Sequence, residues 1–300
     1  PDELRMYLLD FKEGVEFSQY ANPNLRHAML VATEADTEYG ITVLKHLVEE
    51  KEKRYAAFKS CGCKDIQGYR KKNATAKMPR IMVVVDEFQI LFGNAQKDQT
   101  IATLEMIAKQ GRACGIHLIL ATQSLKGIDF TTLGPQFGGR IALKCSAEDS
   151  KILLGGITSN NEEASEIRVP FAILNTTQGN VSGNVKFMVP KAEEEKISEA
   201  IQLINKKSND LNIVTSTKIF EGQNLPTRPK TIGGASSNIT LYLGEMMDYN
   251  AEPFHITLRP RVTENLLICG HDDKIKKSLL ESIIISTKSS NQCEEIIYIG

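Results

Sequence analysis

Met82-Val83-Val84-Val85-Asp86-Glu87-Phe88 is an apolar run closed by two adjacent carboxylates. Apolar residues on both faces are the pattern of a strand buried in a parallel sheet, and ligands of open α/β sheets bind at the carboxyl ends of such strands. An acid there can hold the Mg2+ of a nucleoside triphosphate, and a second acid can orient or deprotonate the attacking water. A strand that ends in surface acids has the same local pattern, so this run by itself admits both readings. Downstream, Gly115-Ile116-His117-Leu118-Ile119-Leu120-Ala121-Thr122-Gln123-Ser124 is a second buried-strand pattern, and it ends in a polar trio. A neutral amide at that end can hydrogen-bond a γ-phosphate or its lytic water without adding charge. Between the two runs, Ile101, Leu104, Ile107 and Ala108 recur at helical spacing, which completes a βαβ unit.

Other elements must hold these residues in place. Glu3 to Asp10 and Ala28 to Ala32 read as strands. Thr33 and Asp36 offer N-cap chemistry for a helix over Thr37 to Lys59, with Ile41, Leu44, Leu47 or Val48, Tyr55 and Phe58 as its apolar stripe. The charges from Glu49 to Arg54 read as its solvated face, and Lys71-Lys72-Asn73-Ala74 as a basic loop. After a glycine-rich loop, Arg140 to Cys145 is a strand, and Glu148 to Leu154 starts a helix that ends at Gly155-Gly156. Val169 to Leu174 and Val185 to Val189 form a hairpin around Gln178-Gly179-Asn180, followed by a polar helix from Glu193 to Lys207. Residues 208–237 shift toward Asn, Thr, Ser, Gly and Pro and read as a linker. A second unit, 238–300, follows with strands at Phe254 to Leu258 and Asn265 to Gly270 and a helix from Ser278. Its last eight residues, Cys293 to Gly300, echo Asp2 to Leu9, which fits a tandem of related modules or chance alone.

Composition narrows the class. The 300 residues are 41% hydrophobic with a formal charge of -1, enough apolar content for sizeable cores and too little positive charge for a globally basic nucleic-acid binder. Of six cysteines, Cys114, Cys145 and Cys269 lie in or beside apolar runs as small buried thiols, and the setting reads as cytoplasmic. Cys61-Gly62-Cys63 has the wrong spacing for a zinc knuckle and no second pair. No stretch reaches membrane-spanning length, so no direct membrane contact is expected of this segment, although an anchor elsewhere in a longer parent is compatible. Pro1 in place of a Met reads as the start of such a segment.

The order of motifs resembles the FtsK/SpoIIIE family of motor ATPases over most of Pro1 to Pro190. The carrying residues are Tyr7-Leu8-Leu9-Asp10-Phe11-Lys12, Val83-Val84-Val85-Asp86-Glu87-Phe88, and Gly111-Arg112-Ala113-Cys114-Gly115-Ile116-His117-Leu118-Ile119-Leu120-Ala121-Thr122-Gln123. Arg140-Ile141-Ala142-Leu143 and Asp149-Ser150 complete the series. The Gly-Arg-Ala block is the most specific piece. The resemblance implies an α/β, RecA-like core, mostly parallel and flanked by helices, over 1–207. It implies a homo-hexameric ring with ATP and Mg2+ between neighbours. Asp86 would be the Walker B partner of Mg2+, Glu87 the catalytic base, Gln123 the γ-phosphate sensor and Thr122 part of the nucleotide site. Arg112 and Arg140 lie where the family couples subunits to nucleotide, and either fits a trans-acting finger. Arg26 and Arg54 are weaker candidates for that finger, and a structural ion pair is the favoured reading of each.

One departure stands out. No glycine-rich phosphate loop with its Lys precedes Asp86, so this segment alone should bind ATP poorly and be inactive. The loop-like Gly270-His271-Asp272-Asp273-Lys274-Ile275-Lys276-Lys277-Ser278 belongs to the second unit. Lys276 falls on the expected Lys, but Ile275 replaces a glycine and Lys277 replaces the hydroxyl before Ser278, so it reads as a vestigial phosphate loop. The leading expectation is a motor that translocates double-stranded DNA, with Lys71, Lys72 and Lys126 as candidate contacts. The alternative is a type VII secretion-like motor acting on a secreted protein substrate.

Overall fold

β1 (Leu4–Asp10) is the middle strand of a five-stranded sheet in which every pairing is parallel. The computed structural model describes residues 1–12, 15–21, 25–75, 77–93, 95–155, 161–222, 238–259, 261 and 264–289, in two units, Pro1–Gln223 and Asn224–Gly300. The first unit continues with α1 (Val15–Ala21), β2 (Ala28–Thr33), α2 (Thr37–Ser60), α3 (Ile66–Lys72), β3 (Arg80–Asp86), α4 (Lys97–Cys114) and β4 (Ile116–Leu120). Then come α5 (Phe130–Leu133), β5 (Arg140–Ala142), α6 (Ala147–Leu154), α7 (Glu163–Glu166), β6 (Phe171–Asn175), β7 (Asn184–Met188), α8 (Glu194–Asp210) and β8 (Lys218–Glu221). The sheet order is β4-β3-β1-β2-β8, and a second, antiparallel sheet has the order β5-β6-β7. The chain lays β2 on one side of β1 and then crosses to lay β3 on the other. The reversal opens a crevice at the carboxyl ends of β1 and β3, the usual ligand position in such sheets.

The core follows from the apolar runs. Leu8, Leu9, Leu30, Val31, Val83 and Val85 are all at most 2% exposed. α2 starts where Asp36 accepts a hydrogen bond from the Tyr39 N–H (2.7 Å), the N-cap that the sequence offered. It ends in a Schellman motif: Gly62 takes φ +64°, its N–H reaches the Lys59 carbonyl (3.2 Å), and the Cys63 N–H reaches the Phe58 carbonyl (2.8 Å). α4 lies close against β4, because a Cβ on Gly111 would sit 2.7 Å from the Ile116 carbonyl oxygen.

Several expectations are corrected. Lys51 and Arg54, expected on a solvated face, are 3% and 2% exposed. Lys51 donates to Gln110 (2.7 Å), and Arg54 donates to Glu50 and to the main-chain carbonyls of Pro79 and Cys114 (each 2.8 Å). Lys71-Lys72, expected in a loop, are the last residues of α3, which Asp65 caps through the Gly68 N–H (2.8 Å). β4, expected to be buried, is an edge strand among the described residues; its His117 is exposed instead of packed in the core. Within 208–237, β8 pairs with β2 and adds the fifth strand, while 223–237 lie outside the described residues.

In the second unit, β9 (Ile239–Glu245) and β10 (Pro253–Leu258) pair antiparallel, and α9 (Asp273–Ser289) packs on β9 through Ser282 Oγ to the Tyr242 carbonyl (2.9 Å). Asn265 to Gly270, expected as a strand, has no strand pairing. The echo at 293–300 lies outside the described residues.

Candidate active site

Asp10 and Asp86 end β1 and β3 and are partners in the parallel register. The two carboxylates therefore arrive side by side at the crevice. Asp10 is 1% exposed; one of its oxygens accepts the Lys12 N–H (2.8 Å), and the other, Oδ2, is buried with no hydrogen-bond partner. Burial pushes the Asp86 carboxyl up, Asp10, Glu87 and Glu16 push it further in the same direction, and a main-chain hydrogen bond at Glu87 opposes them. An orphaned carboxylate oxygen beside a second, electrostatically disfavoured acid is an all-oxygen anionic pocket suited to a hard divalent cation. Among the described residues no group of three or more His, Cys, Asp and Glu forms a protein-only metal cage. Mg2+ does not require one, since it is held by one or two carboxylates together with phosphate oxygens and water.

The sign of the Asp86 effect is testable. A carboxyl raised by folding keeps its proton to higher pH than in the unfolded chain, so stability falls as pH rises from the ordinary carboxylate range through the raised value. Asp86→Asn is expected to flatten that slope. It should also raise the melting temperature of the metal-free chain at neutral pH by roughly 2–4 °C, the shift that ~1 kcal/mol produces in a domain of this size. Thermal unfolding against pH, with and without Mg2+, measures this. A variant less stable than wild type throughout would remove the repulsion.

Glu87 follows directly and is 4% exposed. It has φ +50°, a left-handed conformation that costs a non-glycine residue about 1 kcal/mol or more. That turn breaks the strand and aims the side chain toward β4. Glu87 Oε2 accepts from Gln89 Nε2 (2.5 Å) and from the Gln123 N–H (3.3 Å). Gln89 Oε1 lies 2.6 Å from Thr122 Oγ1, which is also 2.8 Å from the Ser124 carbonyl. The structure thus brings Glu87, Thr122 and Gln123 into one network through Gln89, with Asp86 adjacent. The Gln123 side chain itself is exposed at the rim. Asp149, on α6, accepts the Leu125 N–H (2.9 Å) and the Ser146 hydroxyl (2.7 Å), which ties the loop after β4 to α6.

The arginines lie elsewhere. Arg112 is exposed before the start of β4, at the opposite end of that strand from Gln123. It borders, with His117 and Phe137, a cavity of about 290 Å³. Arg140 is 7% exposed, lies over the Phe130 ring, and donates to the carbonyls of Gly134 (3.0 Å), Leu153 (3.2 Å) and Phe137 (3.4 Å). Arg26 binds the Ile213 carbonyl (2.7 Å). Gly270, Lys276, Lys277 and Ser278 do not form a cradle: the last three lie within α9, and Lys276 pairs with Asp273 (2.6 Å). Lys72 Nζ is bound to the Cys61 carbonyl (2.9 Å), whereas Lys71 and Lys126 are exposed.

Sequence reasoning assigned no role to Asp10 or Gln89. Asp10 had a signal, a buried strand ending in an acid. Gln89 had none, because its bridge exists only after the left-handed turn at Glu87.

The described residues include no helix long and apolar enough to cross a membrane. Among solved structures, the cytoplasmic domain of the Thermomonospora curvata type VII secretion ATPase EccC is similar in fold, with TM-score 0.59, 21% identity, and coverage of 86% of this chain and 32% of that one. The pCW3 conjugation coupling protein TcpA, solved as a monomer with ATPgS, gives TM-score 0.53, 22% identity, and coverage of 67% and 57%. By sequence, the DNA translocase FtsK of Helicobacter pylori (strain J99) is 30% identical over 213 residues, 68% of this chain and 24% of that protein. The chain thus spans about a quarter of the length of such relatives. The family model of FtsK/SpoIIIE matches residues 1–126. The sheet has a RecA-like fold, and over residues 1–126 the chain is similar to the FtsK/SpoIIIE family.

Proposed function

We propose that this chain is the hydrolytic half of an ATP-driven motor that translocates double-stranded DNA, working as part of a ring. The observation that carries this reading is the convergence of Asp86, Glu87 and the Thr122-Gln123 end of β4 at one crevice. Asp86, with Asp10 behind it, would hold Mg2+, which when bound neutralises phosphate charge. Glu87, fixed by Gln89 and the Gln123 N–H, accepts a hydrogen bond from the attacking water and takes its proton. The exposed Gln123 amide reads the γ-phosphate. No Gly-x-x-x-x-Gly-Lys-Ser/Thr occurs in the 300 residues, so in this reading the phosphate cradle is supplied from outside them.

Arg112 is the better candidate for a finger acting on a neighbour's nucleotide, since the Arg140 guanidinium already holds three main-chain carbonyls. Arg140 then serves as a positioning residue for β5. DNA is favoured over protein cargo because relatives at 30% identity are DNA translocases, whereas the secretion ATPase is similar at 21% and only in fold. The test is ATP hydrolysis by the full-length protein with and without duplex DNA. Stimulation that fades steeply with salt is expected. No stimulation at low salt would exclude DNA as the substrate.

A further inference from the structure

The cap that ends α2 does more than stop a helix. Its Schellman geometry fixes Cys61 at the C-cap and Cys63 two residues on, with Gly62 between them in the left-handed region that a side chain would resist. Two main-chain hydrogen bonds, Gly62 N–H to Lys59 and Cys63 N–H to Phe58, set the spacing of the two Cα atoms, and Lys72 Nζ holds the Cys61 carbonyl from α3. The side chains converge as a result. Cys61 Sγ lies 2.9 Å from Cys63 Sγ, only ~0.9 Å beyond the length of a disulfide bond. Both thiols are partly exposed. Cys114, by contrast, is buried, and Cys145 and Cys269 have no cysteine in contact among the described residues.

We propose that Cys61 and Cys63 form a reversible dithiol–disulfide redox site whose oxidant is a low-molecular-weight disulfide. One thiolate attacks a sulfur of the external disulfide, forms a mixed disulfide and releases one external thiol. The second thiolate attacks the protein sulfur of that mixed disulfide and expels the other external thiol. Two protein thiols lose two protons and two electrons, and one external disulfide becomes two thiols. Closing a ring across one glycine constrains the unfolded chain very little, so the bond has no value as a structural staple. Exposed, short-ring disulfides of this kind belong to the labile class, the kind found in reducing compartments. The hydrogen bond from Cys61 and partial burial push the Cys63 thiol up, which lowers its thiolate fraction and slows its direct attack on an external disulfide. Cys63 also packs against the buried cluster of Phe58, Ile66 and Cys114, so the redox state is felt where α2, α3 and α4 meet.

Trypsin cuts after Lys59 and Lys64 and releases Ser60 to Lys64 with both thiols. The native chain is equilibrated with oxidised and reduced glutathione, quenched by alkylation and digested. The expected result is a Ser60–Lys64 peptide lighter by two hydrogens, restored by dithiothreitol. A glutathione adduct at Cys61 or Cys63 should decay at least ~10-fold faster than the one at exposed Cys269, because a neighbouring thiol expels it. Cys61→Ser and Cys63→Ser should each abolish the lighter peptide and leave a persistent adduct on the remaining thiol. The proposal is overturned if the wild-type peptide keeps two free thiols, retains glutathione as long as Cys269 does, or pairs with another cysteine.

Discussion

Glu87→Gln in the full-length protein is expected to leave ATP bound and lower its turnover by about 10²- to 10⁴-fold, the usual range for loss of a positioned general base. The substitution is close to isosteric. Oε1 of the new amide can still accept from the Gln123 N–H, so the turn at Glu87 and the network through Gln89 should survive. Only the capacity to take a proton from water is lost. Single-turnover hydrolysis together with nucleotide binding separates the two effects. A turnover within threefold of wild type would assign the proton to another group, and buried Asp10 would be the next candidate.

Arg54→Ala is expected to destabilise the chain by roughly 3–5 kcal/mol, a large share of the ~5–15 kcal/mol of a typical domain. The guanidinium satisfies the carbonyls of Pro79, just before β3, and Cys114, just before β4. Its removal strands two buried acceptors, each costing ~1–3 kcal/mol, at the amino ends of the two strands that carry the site. Glu50 also loses its partner. Arg54→Lys keeps the charge but not the fork, so it should recover only part of the loss. Urea unfolding of the isolated chain measures both variants. A loss below ~1 kcal/mol for the alanine variant would mean that water replaces the guanidinium at both carbonyls.

What the sequence disclosed follows the range of the forces involved. β1, β2, β3 and α4 rest on local periodicity, and α2 on a cap three residues long, so each was readable at close to its true place. The pairing of an acid-ended strand with an amide-ended one followed from the βαβ rule. What escaped depends on distant partners. Lys51 and Arg54 looked like surface charges because the groups that permit their burial, Gln110, Pro79 and Cys114, are remote in sequence. α3 was missed because its apolar content is small and its start depends on the single Asp65 cap. Asn265 to Gly270 has a strand's composition, but a strand also requires a neighbour to pair with, and composition does not report one. His117 sits in an apolar run, yet that run lies at a sheet edge where alternate side chains face outward.

That edge has a practical consequence. The outer side of β4 pairs with no described strand, and Ile119 there is 47% exposed. A free row of amides and carbonyls beside an apolar side chain is a template for any extended peptide. Purified in isolation, the chain should therefore be prone to sticking to itself as it is concentrated. Its solubility would then report whether that border has been covered.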